Sequence, residues 1–111
     1  MNEVELAREI IATYRKHGWQ PRRALLRSES RAAIQSVLEP GLPVTEAEFD
    51  ALWFSRPSFS EREAWEIRLI EENAYALFET FGSEMPEEER EELRTEMEAR
   101  LRDRISNKPV M

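Results

Sequence analysis

The sequence predicts an α+β domain in which a three- or four-stranded antiparallel sheet packs against helices, in the order α-β-α-β-β-β-α. Two observations support this prediction. Eight of the ten aromatic residues fall within residues 49–81, where the runs 64–70 and 75–82 alternate with a period of two, as neighbouring antiparallel strands do. On either side of this segment, residues 2–17 and 86–105 repeat apolar side chains at helical spacing.

Composition limits the class of protein. A chain of 111 residues with 41% hydrophobic content is predicted to form one domain over 1–106, followed by a flexible tail at 107–111. The absence of cysteine excludes disulfides, thiolate catalysis and cysteine-ligated metal sites. Neither a membrane-spanning apolar run nor a secretory signal is present, so we expect a soluble, cytoplasmic protein without a cofactor or a metal.

The net charge of −7 is unevenly distributed. Residues 1–38 carry seven basic against four acidic side chains, whereas the remainder of the chain is acidic. Because binding to phosphates depends on a cationic surface, only this first third could contact a nucleic acid.

The first helix is predicted over 2–17. Asn2 is a suitable N-cap, glutamates fill the first turn, basic residues fill the last turn, and Gly18 ends the helix. Residues 22–27 follow as a strand candidate that is covered on both sides, because Leu25 and Leu26 would face opposite ways.

The middle of the chain combines a helix, a turn and a strand. Ser28 is predicted to cap a helix that runs to residue 38, and the prolines and glycine of 40–43 end it. Residues 45–48 match a capping box, which predicts one or two helical turns. Residues 51–56 then form a strand.

The runs 64–70 and 75–82 are predicted to pair as a hairpin with a two-residue turn, at 72–73 or at 73–74. The second turn is favoured because it sets Arg68 opposite Glu79. A continuous helix over residues 64–81 fits the sequence less well, since apolar residues would lie on all of its sides. Either turn gives one core face with these residues: Trp65, Ile67, Leu69, Ala76, Phe78 and Thr80.

The hairpin face opposite that predicted core is too apolar for a plain solvent surface. We expect either the last helix or a partner protein to cover it, with cover by the helix favoured. The last helix has a narrow apolar stripe that could also form a self-association seam. The leading functional hypothesis is therefore a non-catalytic protein-interaction module that can form a homodimer. The candidate contact residues are Arg68, Tyr75, Leu77, Phe81, Leu93, Met97 and Leu101.

A first alternative is nucleic-acid binding by the basic stretch 15–31, in which an exposed tryptophan lies among cations. Its candidate residues are Arg15, Lys16, Trp19, Arg22 and Arg23. The acidic remainder of the chain makes this alternative the weaker hypothesis.

A second alternative is a metal-dependent, nuclease-like hydrolase. Asp50 at the start of one strand, followed by Glu66 and Arg68 on the next, resembles an Asp…Glu-x-Lys arrangement that holds magnesium. Arg68 occupies the lysine position and would serve poorly as a base, so we predict no enzyme.

Overall fold

The computed structural model describes residues 2–106, and within this range it contains three α-helices and a five-stranded mixed sheet. The elements in chain order are α1 (Glu3–Lys16), β1 (Gln20–Leu26), α2 (Ser28–Gln35), β2 (Val44–Glu46), β3 (Ala51–Pro57), a short 3-10 turn (Phe59–Glu61), β4 (Glu63–Leu69), β5 (Ala76–Phe81) and α3 (Glu87–Ser106). The α+β class is confirmed. The predicted tail, 107–111, lies outside the described residues.

The sheet has the strand order β2-β1-β3-β4-β5. β2 is parallel to β1, and the other three pairings are antiparallel. The expectation of an antiparallel sheet of three or four strands is therefore correct only in part, because β1, β3, β4 and β5 pair antiparallel but a fifth, parallel strand is present. The additional strand is β2, where the capping-box match predicted helical turns instead. Thr45 and Glu46 pair with Leu25 and Leu26 of β1, because α2 crosses over the sheet and returns the chain alongside β1.

Two hydrophobic cores lie on the two faces of the sheet. α1 and α2 cover one face, where Ile10, Ile34 and Phe54 are buried together. α3 covers the other face, where Trp53, Ile67, Met97 and Leu101 are buried. Leu25 belongs to the second core and Leu26 to the first, which confirms that β1 is covered on both sides.

The helix termini agree only in part with the caps predicted from the sequence. The side chain of Asn2 accepts a hydrogen bond from the backbone N–H of Glu5 at 2.8 Å, as predicted for the N-cap of α1. Gly18, with a φ of 86°, follows the end of this helix. α2 is shorter than predicted and ends at Gln35, and Ser28 is its first residue instead of its cap. α3 begins directly after Pro86.

The hairpin is confirmed, but both predicted registers are wrong. Glu66 pairs with Phe78, and Trp65 pairs with Glu79. The backbone N–H of Leu69 donates to the carbonyl of Tyr75 at 3.0 Å, so five residues, 70–74, connect the strands. The predicted turns had two residues, an even number. A connection with an odd number of residues instead turns the other face of β5 toward the core.

This register changes the residues of the core face. Ile67 and Leu69 are buried and Trp65 is half-buried beneath α3, as predicted. The predicted neighbours Ala76, Phe78 and Thr80 lie on the opposite face instead. Their places beneath α3 are taken by Tyr75, Leu77 and Phe81. Trp65 and Phe78 therefore do not share a core.

Candidate functional site

β5 is an edge strand, and its hydrogen bonds with β4 determine which backbone groups remain open. In an antiparallel pair, residues alternate between those that bond to the neighbouring strand and those that point away from it. Because Tyr75 bonds to Leu69, the bonded residues of β5 are Leu77, Glu79 and Phe81. The N–H and C=O groups of Ala76, Phe78 and Thr80 therefore point outward from the sheet.

Side chains occupy one end of this edge. The carboxylate of Glu79 accepts the outward N–H of Thr80 at 3.0 Å. The guanidinium of Arg62 donates to the carbonyl of Thr80 at 3.1 Å and to its hydroxyl at 2.8 Å. Within residues 2–106, no hydrogen bond reaches the outward groups of Ala76 or Phe78. The edge is thus closed at Thr80 and open at Ala76 and Phe78.

The open part of the edge, at Ala76 and Phe78, carries an exposed aromatic ring. Phe78 is 56% exposed and lies on the sheet face that packs against α1 and α2. Its ring forms an edge-to-face contact with the buried Trp19, with ring centroids 6.3 Å apart. The side chain is thereby supported from beneath while its outer surface faces solvent.

β5 has few of the features that normally protect an edge strand. Proteins discourage edge-to-edge pairing with proline, lysine, bulges or very short strands. β5 contains no proline or lysine, its pairing with β4 has no register shift, and Glu79 is its single charged residue. The opposite edge of the sheet, β2, is only three residues long. The two edges therefore differ in their capacity to accept a further strand.

The other face of β5 lies beside the end of α3. Tyr75 and Leu77 are half-buried there, and Glu79 is exposed. The guanidinium of Arg104 lies over the ring of Tyr75, 3.9 Å from its centroid. In the part of the chain that the structure describes, Arg104 forms no ion pair.

The predicted partner contacts lie in different environments. Tyr75 and Leu77 flank the open edge, whereas Arg68 lies on the opposite face and donates to the carbonyls of Leu69 and Glu71. Phe81, Met97 and Leu101 are buried within the chain, and Leu93 is half-buried. The stripe on α3 packs on its own sheet and does not present a seam. Phe78, the exposed aromatic residue of β5, was predicted to lie in the core, but the register of β5 places it at the surface.

The basic residues of the nucleic-acid alternative are not brought together. Arg15 forms an ion pair with Glu39 at 3.6 Å, and Lys16 is exposed beside it at the end of α1. Trp19 is only 7% exposed and lies beneath the guanidinium of Arg56, so it offers no stacking surface. The β-bulge between Pro21 and Arg23 turns Arg22 and Arg23 toward the other face of the sheet.

Arg22 and Arg23 line a cleft of about 410 Å³ between the sheet and α3. Arg23 contacts Glu91 at 3.3 Å and Glu98 at 3.5 Å. Arg94 is 3% exposed, stacks over Trp65 at 4.4 Å and donates to Glu87 and Glu91. Burial opposes the charged form of Glu91, but its hydrogen bonds to Arg94 and Arg23 predominate and lower its pKa. Arg23 and Arg94 are therefore paired with glutamates of α3, whereas Arg22 donates to the hydroxyl of Ser55.

The two carboxylates of the hydrolase alternative do not converge. Asp50 accepts hydrogen bonds from the backbone and side chain of Arg27, at 2.8 and 3.0 Å. Glu66 accepts the hydroxyl of Tyr14, whose pKa is raised by burial and by this carboxylate. Asp50 lies opposite Ile70, so four residues of β4, about 13 Å, separate the two acids. Among residues 2–106, no group of three or more potential ligands could hold a metal ion.

The described helices include none with the length and apolar character needed to cross a membrane. Comparison of the sequence with protein-family models found no match. Neither a curated protein nor a solved structure matched the chain. The open edge of β5 is therefore identified as the candidate site on its geometry alone.

Proposed function

We propose that this chain is a non-catalytic protein-interaction module that binds an extended polypeptide segment along the outer edge of β5. The observation that supports this proposal is the pair of open backbone sites at Ala76 and Phe78 beside an exposed aromatic ring. A cytoplasmic location is part of the same proposal.

An added strand would obtain affinity from the backbone and specificity from the side chains. Its N–H and C=O groups would pair with those of Ala76 and Phe78, and alternate side chains would lie on the two faces of the sheet. On one face they would contact the ring of Phe78. On the other they would contact Tyr75 and Leu77, two of the predicted partner residues. This division predicts a preference for ligands with apolar residues on both faces.

The charged sites elsewhere support a binding function at β5 better than catalysis. Asp50 and Glu66 are each engaged by a side chain of their own chain, and Arg23 and Arg94 of the α3 cleft are paired with glutamates. No comparable pairing satisfies the outward backbone groups of Ala76 and Phe78 within residues 2–106.

A selection from a displayed library of random linear peptides tests this proposal. The immobilised protein is kept at low surface density, so that copies of the chain cannot occupy each other's edges. We expect enriched peptides to be extended and apolar, and to protect the amides of Ala76 and Phe78 from hydrogen exchange when bound. Ala76→Pro and Phe78→Lys should each weaken their binding by about tenfold or more.

Phe59→Ala is the matched control. Phe59 is 89% exposed in the loop between β3 and β4, but it is not part of β5. Its replacement should leave peptide affinity unchanged. Failure to enrich any peptide, or peptides that bind wild type and Ala76→Pro equally, would contradict strand addition at this edge.

A further inference from the structure

We infer that the strand added to β5 is the β5 of a second copy of this chain, in an antiparallel pairing with Phe78 on the twofold axis. This inference rests on the proposed function, because it names the occupant of the same edge. Three features of this edge support it: the self-complementary spacing of β5, the complementary charges of Glu79 and Arg104, and the exchangeable hydrogen bonds at Thr80.

The spacing of the outward residues is symmetric about Phe78. With Phe78 opposite its own copy, Ala76 of each chain lies opposite Thr80 of the other. All three outward residues then exchange backbone hydrogen bonds, about six in total, two for each pair. The two rings of Phe78 meet as a cross-strand aromatic pair, which removes the exposed apolar surface from water on both copies at once.

The charges beside the edge are complementary across the same axis. In this register Glu79 lies opposite Leu77 of the second copy and diagonal to its Tyr75, within about 8 Å. Arg104 stacks on Tyr75 and has no ion-pair partner in residues 2–106. The dimer would therefore place the Glu79 carboxylate of each copy near the Arg104 guanidinium of the other copy.

The backbone hydrogen bonds of Thr80 can be exchanged for bonds to the second copy, so that its N–H and C=O groups keep a partner. The N–H of Thr80 would transfer from the carboxylate of Glu79 to the carbonyl of Ala76 in the second copy. The carboxylate of Glu79 is then free to form an ion pair with Arg104 of the second copy. The carbonyl of Thr80 would likewise transfer from Arg62 to the N–H of Ala76 in the second copy. Since these exchanges replace existing hydrogen bonds and the contact is small, we expect a weak, reversible dimer.

Sedimentation velocity from low-micromolar to near-millimolar protein tests the inference. We expect a monomer–dimer equilibrium that Ala76→Pro weakens by about tenfold or more. Glu79→Arg alone should weaken association because it would face Arg104, and adding Arg104→Glu should restore it. A structural effect of either substitution would not be reversed by the other.

The outcomes separate this inference from the proposed function. A monomer at every concentration, a dimer that Ala76→Pro leaves intact, or a double charge reversal that does not restore association would each overturn the self-pairing. If the monomeric protein still selects peptides that depend on Ala76 and Phe78, strand addition stands and only its occupant is wrong. If neither peptides nor a second copy bind this edge, both proposals fail. Circular dichroism on every variant checks that the fold is retained.

Discussion

At the scale of single residues, Arg94 shows how a charged side chain can belong to a core. The apolar stripe of α3 was predicted to be narrow, and in the structure it is joined by an arginine that is only 3% exposed. Its guanidinium stacks on Trp65 at 4.4 Å, while Glu87 and Glu91 accept its hydrogen bonds at the rim. An arginine can bury its stem and stack its planar head as an apolar residue would, provided its N–H groups find acceptors.

Substitution of Arg94 separates its packing from its charge. Arg94→Ala removes the side chain above Trp65 and should lower the free energy of unfolding by about 2–3 kcal/mol. Arg94→Met retains most of the packing, and the partly exposed glutamates can be hydrated, so its loss should be about 1 kcal/mol. Urea denaturation of both variants measures the difference. Equal losses would show that the ion pairs, and not the stacking, stabilise α3 on the sheet.

At the scale of elements, the hairpin shows the effect of loop length on the two faces of a strand. Strand alternation located β4 and β5, but it contains no information about the number of residues that connect them. The five-residue connection 70–74 placed Phe78 at the surface and Phe81 beneath α3. The side chains available to a partner are therefore determined by the loop, not by the strands.

A pair of proline substitutions tests this register directly. The N–H of Leu77 bonds to β4, so Leu77→Pro should lower the free energy of unfolding by about 2 kcal/mol or more. The N–H of Ala76 points outward, so Ala76→Pro should cost less than about 1 kcal/mol. Chemical denaturation of dilute protein gives both values. The reverse order of stability would mean that the predicted two-residue turns give the correct faces.

At the scale of the whole molecule, α3 is held to the sheet by its apolar stripe and by the ion pairs around Glu91. Arg23 on β1 and Arg94 on α3 both donate to this carboxylate. Glu91 thus connects the bulged strand to the helix that covers the second core. Its lowered pKa links the docking of α3 to pH.

Glu91 should contribute to acid sensitivity. Because its pKa in the folded state lies below the ordinary value of 4.5, its stabilising effect is complete above pH 4.5 and is lost as the pH falls through the lower folded value. Glu91→Gln should cost less than about 1 kcal/mol at neutral pH, since the carboxylate is half-exposed. The variant should then lose less stability than wild type below pH 4.5. Thermal unfolding across this range tests the expectation.

Glu88→Gln is the control for this titration. Glu88 is exposed in the same part of α3, and its side chain forms no hydrogen bond or ion pair with the residues that the structure describes. Its substitution removes a carboxylate from α3 without removing a contact, so a change seen only with Glu91→Gln is due to the contacts of Glu91. An identical acid profile for Glu91→Gln and wild type would show that Glu91 does not couple pH to stability.

Local sequence patterns predicted most of the individual helices and strands, whereas their relative arrangement depends on contacts between segments that are distant in the chain. The cap at Asn2 and the alternation of β4 and β5 depend on neighbouring residues, and both were predicted. The pairing of β2 with β1, the face of β5 that carries Phe78 and the burial of Arg94 depend on contacts between distant segments. At 45–48 the propensity for a helix is overcome by the backbone hydrogen bonds that β1 offers. The odd number of residues between β4 and β5 sets which face of β5 is exposed. For this reason the helices and the hairpin could be read from the chain, but the open edge of β5 could not.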